Sequence, residues 1–142
     1  MKFFNFFKKI SRDNLVFIKK NNLKNWWQEN FSEKERKIII SESKYLLEND
    51  NSKQGRTSAR TLYLIAGNVI TRFHNQNLEI VIRILKKAAK LSNDKEEKSE
   101  IYSQLIELYL KSENRDLKFD KTELIKKAER KNWDGNLKTL ID

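Results

Sequence analysis

Apolar residues along most of this chain recur at intervals of three and four, the period of a helix packed on one side. One such stripe begins after Phe31. Ser32 and Glu35 stand three apart, the pattern of a capping box, in which each side chain takes up an orphan backbone N–H at a helix start. The pattern predicts a helix from Glu33, carrying Ile38, Ile39, Ile40, Tyr45, Leu46 and Leu47 and ending near Glu48. Asn49-Asp50-Asn51-Ser52-Lys53-Gln54-Gly55 is polar and rich in turn formers, and reads as a linker. The next helix is expected over about Ser58 to Phe73. Leu62, Ile65, Ala66, Val69 and Phe73 form one stripe, and Tyr63, Gly67 and Ile70 a second beside it. So wide an apolar arc predicts more than one packing neighbour. Gly67 costs about 1 kcal/mol in a helix interior, and the close approach of another helix backbone is the expected compensation.

His74 to Asn77 is expected to turn the chain, with Asn77 capping a third helix. Ile80, Ile84, Ala88 and Leu91, with Val81 and Leu85 beside them, predict packing on one side of that helix. Lys86, Lys87 and Lys90 fall at its carbonyl end, where cations are favoured. Ser92-Asn93-Asp94 makes another turn before a helix bearing Ile101, Tyr102, Leu105, Ile106, Leu108 and Tyr109. After a loop from Ser112 to Phe119, Asp120 and Glu123 form a second cap-like pair before Leu124, Ile125 and Ala128. Leu137, Leu140 and Ile141 fit a last turn. The first thirty or so residues are the least regular. No run alternates with period two. The fold class is therefore all-α, with about five to seven helices. Residues 1–31 are expected to be an irregular or helical N-terminal cap, and residues 32–142 a helical-hairpin domain.

Composition narrows this further. The 142 residues contain no proline and no cysteine, which removes forced helix breaks, disulfides, cysteine zinc sites and a thiol nucleophile. The formal net charge is +10. Residues 1–60 hold fourteen basic and seven acidic side chains, 61–90 five and one, and 91–142 eleven and twelve, so the excess lies in the first two thirds. Such a gradient attracts polyanions or anionic surfaces. The 22 Lys, 15 Asn and 14 Ile all use codons rich in A and T, so part of the charge reflects coding bias. No apolar run approaches the ~20 residues of a membrane span. The leader MKFFNFFKKI lacks a cleavage pattern and is broken by Asn5. It reads as an aromatic-basic turn, with weak membrane-surface contact as its sharper reading. A cytoplasmic location is the expectation.

Two segments forty residues apart share a pattern: Ile84-Leu85-Lys86-Lys87-Ala88 and Leu124-Ile125-Lys126-Lys127-Ala128. That period lies in the range of helical-hairpin arrays. With Leu64, Gly67 and Ile70 in one first helix and Tyr102, Leu105, Ile106, Leu108 and Tyr109 in the other, the chain resembles a degenerate tetratricopeptide repeat. It departs from that family in its longer turns and missing closing proline. Phe6 to Lys9, Trp26-Trp27 before Ser32 and Glu35, and Trp133 with Gly135 also make it similar to small bacterial proteins of that type. The resemblance implies stacked hairpins with a concave, protein-binding face.

Chemistry is sparse. The single histidine, His74, lies two residues from Arg72, a spacing that cannot share a helical face. No phosphate loop is present, and Glu96, Glu97 and Glu100 alternate with Lys95 and Lys98 as on a solvated surface. The expectation is a non-enzymatic protein without cofactor or metal. Its leading reading is a protein-interaction module for an unknown protein or acidic peptide. Trp26, Trp27, Lys44, Arg56, Arg60, Tyr63 and Arg72 are the candidate contacts. Adjacent Trp26 and Trp27 cannot both face one way on a helix, so one of them is expected either to be exposed or to cap another layer. The alternative is a nucleic-acid-binding domain using Lys19, Lys20, Lys24, Arg56 and Arg60.

Overall fold

The computed structural model describes residues 15–48, 55–73 and 78–111, and only the backbone at residues 72, 73 and 109–111. The described residues form six α-helices and no strand: α1 (Val16–Lys20), α2 (Lys24–Asn30), α3 (Glu33–Glu48), α4 (Ser58–Phe73), α5 (Leu78–Leu91) and α6 (Lys95–Lys111). The fold is all-α. The leader, the 49–54 linker, His74, Asn77 and everything from Ser112 on, including the second member of the forty-residue pattern, lie outside the described residues.

Local chemistry explains most boundaries. α1 is closed by Asn22 at φ 54°, a left-handed conformation that asparagine tolerates better than most residues. Leu23 N–H donates to the Ile18 carbonyl (2.9 Å) and Asn22 N–H to that of Lys19 (3.3 Å), the paired bonds of a Schellman motif. So α1 and α2 are helices in a stretch whose sequence pattern is irregular, because each is too short to show a period. α3 starts on the capping box: Glu35 N–H donates to Ser32 Oγ (3.2 Å) and Ser32 N–H to Glu35 Oε1 (2.9 Å). Thr57 caps α4 by accepting from Arg60 N–H (3.1 Å). α6 opens at Lys95, earlier than its apolar stripe implies, because Asp94 Oδ1 accepts from Glu96 N–H at 2.9 Å.

α3 is not straight. Ser43 departs from helical geometry (φ −132°, ψ 22°) at a kink. Its side chain is buried, with Oγ 3.5 Å from the Ile65 carbonyl of α4.

Consecutive helices pack on one another. The α4–α5 contact is the most extensive, followed by α3–α4 and α5–α6, while α1 rests on α2 and α3. The core runs continuously from Leu15, Phe17, Trp27 and Phe31 to Ile101, Leu105 and Leu108, so the described part of the N-terminal cap shares it. Burial of each large aliphatic or aromatic side chain contributes roughly 1.5–3 kcal/mol. α4 packs on both α3 and α5, as its wide apolar arc predicts, whereas α5 differs from its sequence pattern. On α4, Ala59, Thr61, Leu62, Ile65, Ala66 and Val69 are buried, Tyr63 and Ile70 are half-buried and Gly67 is exposed. On α5, Ile80, Val81, Ile82, Ile84, Leu85, Ala88 and Ala89 are all buried. At 3.6 residues per turn they span more than half its circumference. α5, expected to pack on one side, is therefore also enclosed by more than one neighbour.

Candidate interaction groove

Between α4, α5 and α6 the surface dips into a groove of about 110 Å³, lined by Tyr63, Ala66, Gly67, Ile70, Val81, Leu85 and Gln104. Tyr63, Ala66, Gly67 and Ile70 follow the i, i+3, i+4, i+7 rule and share one face of α4. Val81 and Leu85, four apart, supply the wall from α5. Gln104 of α6 brings the one amide. The lining is mostly apolar, and the volume is well below the roughly 300–1,000 Å³ of sites for small-molecule ligands. It matches a single side chain better than a cofactor.

Gly67 makes the groove, and here the structure corrects the sequence expectation. Among the described residues no helix backbone approaches it: a Cβ at this position would meet nothing within 4 Å. Its missing side chain leaves space open to solvent. The neighbouring Thr71 hydroxyl donates to the Gly67 carbonyl (2.7 Å).

At one end of the groove the Arg60 guanidinium lies 5.1 Å from the centre of the Tyr63 ring. The same guanidinium pairs with Glu100 of α6 at 3.3 Å. Burial pushes the Tyr63 phenol up from its ordinary value, and the carboxylate of Glu100 beside it adds to the effect.

The other expected contacts are scattered. Trp27 is buried at 3% exposure, with its indole N–H unpartnered, so it belongs to the core and not to a contact surface. Trp26 is half-buried. Its ring meets Phe31 edge-on at 5.3 Å and lies under Lys87 Nζ at 5.9 Å. Both tryptophans thus sit on the side of α5 away from the groove. Lys44 is exposed and lies 3.9 Å from Glu48. Arg56 is half-buried, and its Nε and Nη2 are enclosed without a hydrogen-bond partner. The side chain of Arg72 lies outside the described residues. Of the seven candidates, the structure brings Arg60 and Tyr63 together at the groove.

Sequence reasoning passed over Arg83. It stands on the polar face of α5 and reaches the start of α3. There it forms an ion pair and hydrogen bonds with the Glu35 carboxylate and donates to the Asn30 carbonyl. Its guanidinium lies 5.1 Å from the Phe31 ring centre. Partial burial pushes the Glu35 carboxyl up, but the bonds from Arg83 and from Ser32 N–H outweigh it and hold the group below its ordinary value. Nothing local in the sequence flags this pair, since 48 residues separate its members.

Among the described residues no helix is long and apolar enough to cross a membrane, and no cluster of His, Cys, Asp and Glu is placed to hold a metal ion. No protein-family model, curated protein or solved structure matches the chain.

Proposed function

We propose that this chain is a non-enzymatic helical interaction module that receives an apolar side chain of a protein partner in the α4–α5–α6 groove. The observation that carries this is Gly67. A glycine inside a long helix costs about 1 kcal/mol relative to alanine, and no contact among the described residues requires one here. What it provides is an open apolar cleft of side-chain size. The succession of packed helices supports a helical-hairpin repeat as the architecture behind this reading. The chain has no cysteine, so Thr71→Cys, one turn beyond Gly67, can carry a single photo-reactive group. In extract from the source cell it should crosslink to a discrete protein. The reading fails if the same crosslinks form when Gly67→Leu fills the groove.

A second reading has its own observation. Ser58 Oγ donates to Asn21 Oδ1, which ties the end of α1 to the start of α4. That bond brings the segment carrying Lys19 and Lys20 beside the one carrying Arg56 and Arg60. Nucleic acid bound there would be released steeply by salt. Filter binding between low and physiological salt separates this reading from the first.

A further inference from the structure

The charge around the groove runs against the charge of the chain. Gln104, which lines the groove, is flanked along α6 by Glu100 one turn before and Glu107 one turn after, and Glu96 continues the same face. Glu96, Glu100 and Glu107 are exposed. Arg60 of α4 meets this row and already pairs with Glu100 at 3.3 Å, and Lys111 follows Glu107 by one turn at the end of α6. α5 turns Val81 and Leu85 to the groove, while Arg83, Lys87 and Lys90 stand on its other side. α4 adds the neutral Tyr63, Gly67 and Thr71. The cleft is therefore an apolar pit beside a carboxylate row, set in a chain of net charge +10. Tyr63 senses that row: after burial, Glu100 and Glu107 both act to keep its phenol protonated.

Resting on the groove reading above, we infer that the partner presents a segment in which an apolar side chain, seated against Ala66, Ile70, Val81 and Leu85, is flanked by Lys or Arg that pair with Glu100 and Glu107. Charge complementarity selects this occupant. An acidic segment would place carboxylates against carboxylates at the rim, and like charges brought together discriminate more strongly than the attractive pair rewards. The Glu100 and Arg60 side chains are 48% and 40% exposed, so the existing ion pair is solvated and weak. An incoming cation can share Glu100 without breaking a buried bond. The rim thus sets which partner is accepted, and the apolar pit supplies the hold.

Two fluorescent helical peptides test this on the full-length chain. One carries Leu at i, i+3 and i+7 flanked by Lys, and the other has Glu in place of every Lys. The net charge of the protein favours the Leu–Glu peptide, and the groove favours the Leu–Lys peptide, so the sign of the preference is decisive. The expected result is binding of the Leu–Lys peptide about tenfold tighter, as two exposed charge pairs would give. The double variant Glu100→Gln/Glu107→Gln should bring the two peptides to near equality. Preference for the Leu–Glu peptide, or a Leu–Lys preference that survives the double variant, overturns the inference. Gly67→Leu, checked for unchanged helicity by circular dichroism, separates this from the groove reading. If Leu–Glu binding is favoured and lost in Gly67→Leu, the groove stands and the basic partner falls. If neither peptide is sensitive to Gly67→Leu, both fall. Sedimentation of the chain alone supplies a further outcome: a dimer that Gly67→Leu dissolves makes a second copy the occupant and overturns the foreign partner.

Discussion

The two sides of α5 solve the same packing problem in opposite ways. On one side, the gap toward α2 and the start of α3 is closed by large and long side chains. Phe31 lies between Trp26 and Trp27, Arg83 covers its ring and grips Glu35, and Lys87 lies over Trp26. On the other side, toward α4 and α6, the facing positions are Ala66 and Gly67, and the gap stays open. The lesson is that an amphipathic helix does not dictate how its flanks are sealed. Cationic stems with apolar length do so on the first side, and on the second a missing side chain prevents it.

The largest break in this contrast is Phe31→Ala. Phe31 is 2% exposed and touches both tryptophans, so truncation should cost about 3–5 kcal/mol. Urea denaturation followed by Trp fluorescence reads both the loss and the altered ring environment. Next comes Arg83→Ala. The pair is partly solvated, with side-chain exposures of 30% and 25%, so we expect a loss of about 2 kcal/mol, between the values for exposed and buried pairs. A double-mutant cycle with Glu35→Gln should give a coupling that a purely steric role of Arg83 would not produce.

On the open side the sign reverses. Gly67→Ala should raise stability by up to about 1 kcal/mol, since the added methyl meets no atom and the helix gains propensity. A loss of stability in thermal unfolding would mean that the groove is tighter than described. The smallest effect is the acid response of the sealed side. The folded value of Glu35 is depressed, so its contribution is fully present above the ordinary carboxylate range near pH ~4.3 and is lost as pH falls through the lower folded value. The stability difference between the protein and Glu35→Gln should shrink on acidification over that window. A difference constant from pH 7 down to pH 3 would show that Arg83 does not act on an ionised Glu35.

What could be read from the sequence follows the range of the interaction. The start of α3 rests on a hydroxyl and a carboxylate three residues apart, and the Ser32–Glu35 box states it locally. The span Ser58–Phe73 follows from an uninterrupted apolar period. α1 and α2 have only 5 and 7 residues, too few to display one. α6 begins a turn before its stripe because its first turn is polar and held by Asp94. The site was harder to read. Gly67 stands out in the sequence, but whether a neighbour approaches it depends on where α5 and α6 pass. Trp26 and Trp27 look alike in sequence, yet the closure around Phe31 buries one and half-buries the other. Arg60 reads as a free cation until α6 brings Glu100 to it from 40 residues away.

The kink at Ser43 has a consequence for motion. A regular ladder of backbone bonds ties the fate of each turn to the next, and the non-helical residue interrupts it. The turns before Ser43 are anchored through Glu35 to Arg83, whereas Lys44 to Glu48 hold to the molecule through Leu46 and Leu47. The two halves of α3 can therefore open separately, as units of unequal free energy. In an amide-exchange experiment this one helix would show two levels of protection, with the step at Ser43.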